Sequence, residues 1–201
     1  EKTNDYVLYL KKLDLKLVKV IDTHIHADHI SGMKELNKQT NCANIMGEQS
    51  PSDVVNIKVK DSEKIKIDNI ELTSMYTPGH TDCSYSFLMK DRIFTGDTLL
   101  INGTGRTDFQ NGNPIIQYHS LFDRILKLPE ETFVYPAHDY KGNKVSTIGQ
   151  QKHTNPRLQV KSPNQYAELM NNLNLENPKM IDIAVPANIK GKTLDQINQE
   201  R

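Results

Sequence analysis

The sequence predicts a layered α/β fold in which helices cover sheets, and three observations lead there. β-Rich runs alternate with amphipathic helical runs, the middle of the chain is a string of strands separated by short polar turns, and no fixed-period repeat or long charge run breaks the order. Thr3 or Asn4 can cap a first helix whose Tyr6, Val7, Leu10 and Leu13 keep helical spacing, and residues 16–22 follow as a strand. A second helix is expected over residues 33–38. Residues 54–59, 64–67 and 70–76 alternate as meandering strands, with Asp61 and Asp68-Asn69 as turns, and residues 84–89 and 93–95 add two more around Lys90-Asp91. Pro114 suits the first turn of a helix lined by Ile115, Ile116, Leu121, Phe122, Ile125 and Leu126. Residues 132–135 read as a strand, and Ser162-Pro163 caps and opens an amphipathic helix through Leu173. Residues 188–201 are polar and poor in apolar anchors, so they read as a loose tail on a single domain of residues 1–201.

Charge and cysteine content narrow the class of function. Lys plus Arg number 25 and Asp plus Glu number 25, so the chain has no net attraction for nucleic acid or an anionic membrane. No apolar run approaches the ~18 residues of a spanning helix, and the opening Glu1-Lys2-Thr3-Asn4-Asp5 is no signal-peptide pattern. Cys42 and Cys83 are too few for a disulfide framework, which predicts a reducing compartment: bacterial cytoplasm, or the mitochondrial matrix in a eukaryote. A chain this long buries about 70% of its unfolded surface and needs no metal merely to hold a core. A metal site in it is there for chemistry.

Three of the seven histidines fall in one string, Thr23-His24-Ile25-His26-Ala27-Asp28-His29, directly after a predicted strand. Loops at strand ends are where α/β proteins place ligands, and imidazole with carboxylate suits Zn, Fe or Mn. Three later strings repeat the plan of strand, turn-former and donor: Thr77-Pro78-Gly79-His80, Thr95-Gly96-Asp97 and Tyr135-Pro136-Ala137-His138.

This set resembles the metallo-β-lactamase superfamily, whose HxHxDH hallmark is matched by His24 to His29, with His80, Asp97 and His138 in the expected order. The resemblance implies an αββα sandwich with the metal at one edge of its two sheets. Further strings look like the persulfide dioxygenases: Gly105-Arg106-Thr107-Asp108-Phe109-Gln110, Tyr118-His119-Ser120, Pro136-Ala137-His138-Asp139-Tyr140-Lys141-Gly142, Asn155-Pro156-Arg157-Leu158 and Ala184-Val185-Pro186-Ala187-Asn188. That resemblance implies oxidation of glutathione persulfide by O2 to sulfite and glutathione at one non-haem Fe(II) per chain. It implies His24, His80 and Asp97 as iron ligands, with open positions for sulfur and dioxygen. His26, Asp28, His29 and His138 would surround the ligands, and Thr95 and Asp139 would support their geometry. Arg106 offers a fork for a glutathione carboxylate, and Tyr140 a hydroxyl for the peptide part of the substrate.

Two other readings stand beside this one. A glyoxalase II-like thioester hydrolase would use two metals and all seven stations on S-lactoylglutathione, but that family carries a helical domain after the last histidine and only 63 residues follow His138 here. A non-catalytic, partner-binding chain would fail to retain metal. Relatives also open with paired strands ahead of the first helix, which the 23 residues before His24 do not supply. An uncovered edge strand there would favour a homo-oligomer.

Overall fold

The computed structural model describes residues 2–139 and 141–199. Its chain packs as two compact units, residues 1–59 with 176–201, and residues 60–175.

In the first unit, helix α1 (Thr3–Lys12) begins without the expected Thr3 or Asn4 side-chain cap. Val7 and Leu10 are half-buried, while Tyr6, Tyr9 and Leu13 on the same helix and turn are exposed. Strand β1 (Lys19–Ile21), helix α2 (Met33–Thr40), strand β2 (Ala43–Gly47) and strand β3 (Ile57–Val59) follow. The three strands form a parallel sheet in the order β1-β2-β3. Two sequence expectations are corrected here. Residues 54–59 are not part of a meander: β3 is three residues long and pairs in parallel with β2. β2 itself was not foreseen, because buried Asn44 interrupts its apolar pattern; Asn44 is accommodated by donating Nδ2–H to the Val54 carbonyl at 3.0 Å.

The C-terminal segment belongs to this same unit. Helix α6 (Ile181–Lys190) and helix α7 (Leu194–Gln199) replace the loose tail expected from residue 188. The anchors are few but well placed: Ala184, Ala187, Asn188 and Ile197 are buried, and the Asp53 N–H donates to the Ile189 carbonyl at 2.8 Å. Gly191 ends α6 in the left-handed region at φ 61°, where a Cβ would collide with Val54.

The second unit is built on a six-stranded sheet in the order β4-β5-β6-β7-β8-β9. Strands β4 (Lys64–Ile67), β5 (Ile70–Tyr76), β6 (Tyr85–Leu88) and β7 (Arg92–Gly96) form the expected antiparallel meander. β8 (Phe133–Pro136) returns parallel to β7, and β9 (Ser146–Thr147) closes the edge antiparallel to β8. Helix α3 (Pro114–His119) starts as expected with proline in its first turn, its cap Asn113 accepting from the Ile115 and Ile116 N–H groups. The run continues as a wider π turn over Ser120–Arg124 and a 3-10 turn over Ile125–Lys127. Helix α4 (Ile148–Thr154) was not foreseen, since only Ile148 and Gln151 of its polar sequence are buried. Helix α5 (Pro163–Asn171) is capped by Ser162 as expected. Ile93, Leu99, Leu121, Ile125, Val134, Ile148 and Tyr166 are wholly enclosed in the core between sheet and helices. Each such aliphatic side chain contributes roughly 1.5–3 kcal/mol by leaving water. Among the described residues no helix is long and apolar enough to cross a membrane.

Candidate metal centre

In the first unit the donor loop leaves β1 at Ile21. His24 and His26 are buried, and their rings lie 4.4 Å apart, with the His26 and His29 rings 4.2 Å apart. The His24 Nδ1 meets the Thr23 hydroxyl at 2.9 Å, and the His29 Nδ1 meets Asp28 Oδ1 at 3.1 Å. One donor atom each from His26, Asp28 and His29 falls within a 4.8 Å span, a spacing that can hold a metal ion. Asp28 and His29 are open to solvent, at 45% and 49% side-chain exposure.

The second unit brings His80, Asp97 and His138 together, and the sheet explains why. β5 is antiparallel to β6 and β6 to β7, so β5, β7 and β8 all run in one direction and their following loops leave the same end. That end is where parallel strands deliver ligand-binding side chains. Gly79, at φ 130°, lets the loop before His80 pass α3, where any Cβ would collide with Gln117. Thr95 is buried and donates its hydroxyl to the Leu99 carbonyl at 2.6 Å, tightening the turn that carries Asp97. Gly105 donates its N–H to the Asp97 carbonyl at 2.7 Å, and a Cβ there would collide with that carbonyl and come within 2.8 Å of His80 Nδ1.

The histidine tautomer follows from chemistry. His80 Nδ1 lies 2.7 Å from the Arg106 carbonyl, which can only accept, so Nδ1 carries a proton and Nε2 is the ring atom left to face a ligand. That Nε2 faces Asp97 Oδ2 at 3.5 Å, and His138 Nε2 faces the same oxygen at 3.6 Å. Two imidazole Nε2 atoms converging on one carboxylate oxygen at such distances are held by positive charge between them, which protons on the rings or one shared metal ion can supply. The donor set therefore fits a metal ion.

Arg106 departs from expectation. Its Nε and Nη2 both hold Asp108 at 2.7 Å, and its guanidinium lies over the Phe109 ring at 4.4 Å. The fork expected to await a substrate carboxylate already meets a carboxylate of the chain, because Asp108 lies two residues on in the same loop. The hydrogen bonds from Arg106 hold the Asp108 carboxyl below the usual carboxylate range. Asp139 accepts from the Lys141 and Asn143 N–H groups and from the Asn143 amide, which lowers its pKa, so it shapes the loop after His138. Tyr140 lies outside the described residues.

Behind Gly105 sits a group that sequence reasoning passed over. The Tyr166 hydroxyl donates to Gln117 Oε1 at 2.8 Å and lies 2.9 Å from Thr104 Oγ1, and Gln117 Nε2 donates to the Gly105 carbonyl at 3.2 Å. Burial pushes the Tyr166 phenol far above its ordinary value, so it remains a neutral donor. Two polar residues on the buried faces of otherwise amphipathic helices were the available signal.

Comparison with known proteins agrees with this architecture. The metallo-beta-lactamase superfamily model matches residues 46–138. Human mitochondrial persulfide dioxygenase ETHE1 is 40% identical over 184 residues, covering 90% of this chain and 72% of the human protein. The crystal structure of ETHE1 from Myxococcus xanthus superposes with a TM-score of 0.93 at 42% identity, over 96% of this chain and 85% of that one. A hydroxyacylglutathione hydrolase of Dictyostelium discoideum is 33% identical over 135 residues, covering 63% of this chain and 50% of the hydrolase.

Proposed function

Since the chain belongs to the persulfide dioxygenase family of the metallo-β-lactamase superfamily, we propose that it oxidises glutathione persulfide with dioxygen at one Fe(II) held by His24, His80 and Asp97. Glutathione persulfide, dioxygen and water give glutathione, sulfite and two protons; the sulfane sulfur loses four electrons and dioxygen gains four. Iron held by His24, His80 and Asp97 would supply the redox chemistry that couples oxidation of the sulfane sulfur to reduction of dioxygen.

The observation that carries the reading is His80 Nε2 directed at Asp97 Oδ2, two of the three proposed ligands, with the His80 Nδ1 proton committed to the Arg106 carbonyl. In this reading the carbonyl orients the His80 ring, and the Thr23 hydroxyl does the same for His24. His138 Nε2, more exposed than Asp97, holds or yields a proton beside the reacting oxygen. His26, Asp28 and His29 orient the water consumed in sulfite release. Arg106 and Tyr140 meet the glutathione part of the substrate, which has to share the Arg106 guanidinium with Asp108.

Metal analysis with oxygen uptake tests this. About one iron per chain, and one O2 consumed per sulfite formed from glutathione persulfide, are expected. In the same assay Arg106→Ala should raise KM while keeping most of kcat; an unchanged KM removes it from substrate recognition. The spacing of His26, Asp28 and His29 gives a specific ground for the binuclear hydrolase. Two metals per chain with cleavage of S-lactoylglutathione would establish that reading instead.

A further inference from the structure

The helix that replaces the expected tail ends against the donor loop, and the contact is made by one buried amide. Asn188 of α6 donates Nδ2–H to the carbonyls of His26 and His29, both at 2.9 Å, and its Oδ1 accepts the Ser31 N–H, also at 2.9 Å. The orientation is unambiguous, since two carbonyls require the amide nitrogen and an N–H requires the oxygen. Asn188 is itself fixed: its carbonyl accepts the Ser52 hydroxyl at 2.9 Å, and Gly191 just beyond it seats the helix end against Val54. The Ser31 hydroxyl, in turn, donates to Asp22 Oδ2 at 2.5 Å, tying the far end of the loop back to the end of β1.

We propose that Asn188 is a positioning residue for the metal centre: its amide sets the backbone of residues 26–31 and thereby the directions in which His24, His26, Asp28 and His29 project. Among the described residues the loop lies outside the strands of the sheet, and the inward-turned carbonyls of residues 26 and 29 are taken up by the Asn188 amide. A single carboxamide supplies three such bonds with fixed geometry, which ties the donor loop to a helix 157 residues away from Ser31 in sequence. The proposal rests on the reading of this loop as part of an iron site, and its structural half is measurable without iron.

The test is Asn188→Asp, which keeps shape and the acceptor for Ser31 but turns a carboxylate oxygen toward two carbonyls. Three measurements are made: amide hydrogen exchange of the metal-free chain, Fe(II) affinity by chelator competition, and kcat and KM for glutathione persulfide. Exchange is expected to quicken at residues 24–31 while the rest of the chain keeps its protection. Affinity should fall roughly 10- to 100-fold, as when other groups supporting metal ligands are lost. With iron saturating, kcat should fall and KM stay near wild type. Unchanged exchange at residues 24–31 overturns the clamp, and so does exchange raised equally through residues 1–59 and 176–199. Localised exchange with unaltered iron affinity overturns the positioning role. If wild type binds no iron, the functional reading fails while the exchange result still decides the clamp. Should Asn188→Asp not fold, Ser52→Ala removes only the hydroxyl holding the Asn188 carbonyl. A smaller effect of the same localised kind is expected from it, and none would overturn the proposal.

Discussion

Residues 24–29 carry His24, His26, Asp28 and His29 on one continuous loop, whereas His80, Asp97 and His138 come from three strand ends of one sheet. The two regions solve the placement problem by different means. In the sheet, direction comes from backbone pairing, and glycines at 79 and 105 let chain segments approach closely enough for a main-chain carbonyl to orient the His80 ring. The described loop residues lie outside the strands, and direction there comes from the side chains of Asn188, Ser31 and Asp22. Enclosure follows position in the site more than region: His80 and Asp97, at 12% and 13% side-chain exposure, and loop residues His24 and His26 are enclosed, while Asp28 and His29 are open to water. Enclosed donors, His24, His80 and Asp97 among them, are suited to hold an ion tightly, and the open Asp28 and His29 to handle substrate and water.

That difference is broken most severely at Asp97. Asp97→Ala removes the carboxylate on which two histidine Nε2 atoms converge, and iron content should fall from about one per chain to background with all oxygen uptake lost. His26→Ala removes a loop imidazole and should keep most of the iron while lowering kcat. Metal analysis of the two purified variants decides the matter. Equal iron loss in both would make His26 as much a holder of the metal as Asp97, and the assignment of His24, His80 and Asp97 as the three ligands would fail.

A gentler break tests the close approach itself. In Gly105→Ala the new methyl meets the Asp97 carbonyl and the His80 ring, neither of which is the free end of a flexible chain. Strain of this kind costs typically 1–3 kcal/mol. At roughly 2–4 °C per kcal/mol for a chain this size, the unfolding midpoint should drop by about 2–12 °C. Iron affinity should fall with it, because the His80 ring turns away from the Arg106 carbonyl. Wild-type affinity in a destabilised variant would show that the ring direction does not depend on the glycine approach.

The two regions also differ in how much of them could be read in advance. The stations of the sheet are local in sequence: a β run, then a turn-former, then a donor, and strands 64–67 and 70–76 lie where alternation puts them. The support of the loop is not local. Asn188 acts on residues 26–31 from a helix that contains Pro186 and ends in polar sequence, so nothing near either segment announces the other. Strand β2 and helix α4 escaped for a related reason, since buried Asn44 and Gln151 hydrogen-bond to partners that sequence does not place beside them. Arg106 was a different kind of miss. Its partner stood two residues away in plain sight, but a fork that fits any carboxylate gives no sign of which one it takes.

The Arg106–Asp108 pair gives the smallest expected effect and sharpens the comparison from the other side, because it touches the sheet region through a side chain rather than through backbone. The Arg106 carbonyl that holds His80 does not depend on this pair, so Asp108→Asn should leave iron content unchanged. What it should change is stability, and only in one range of pH. Arg106 keeps the folded-state carboxyl of Asp108 below its unfolded value of about 3.9, so the pair stabilises the fold above about pH 4 and its contribution is lost as pH falls through the folded-state value. The Asp108 side chain is 55% exposed, and solvent screening limits such a pair to about 0.2–1 kcal/mol. Urea unfolding of wild type and Asp108→Asn at neutral pH should show that gap, and the two curves should converge in acid below about pH 4. A gap of equal size at both pH values would assign the effect to lost hydrogen-bond geometry instead of charge, and a change in iron content would mean that the loop's side chains reach the metal centre after all.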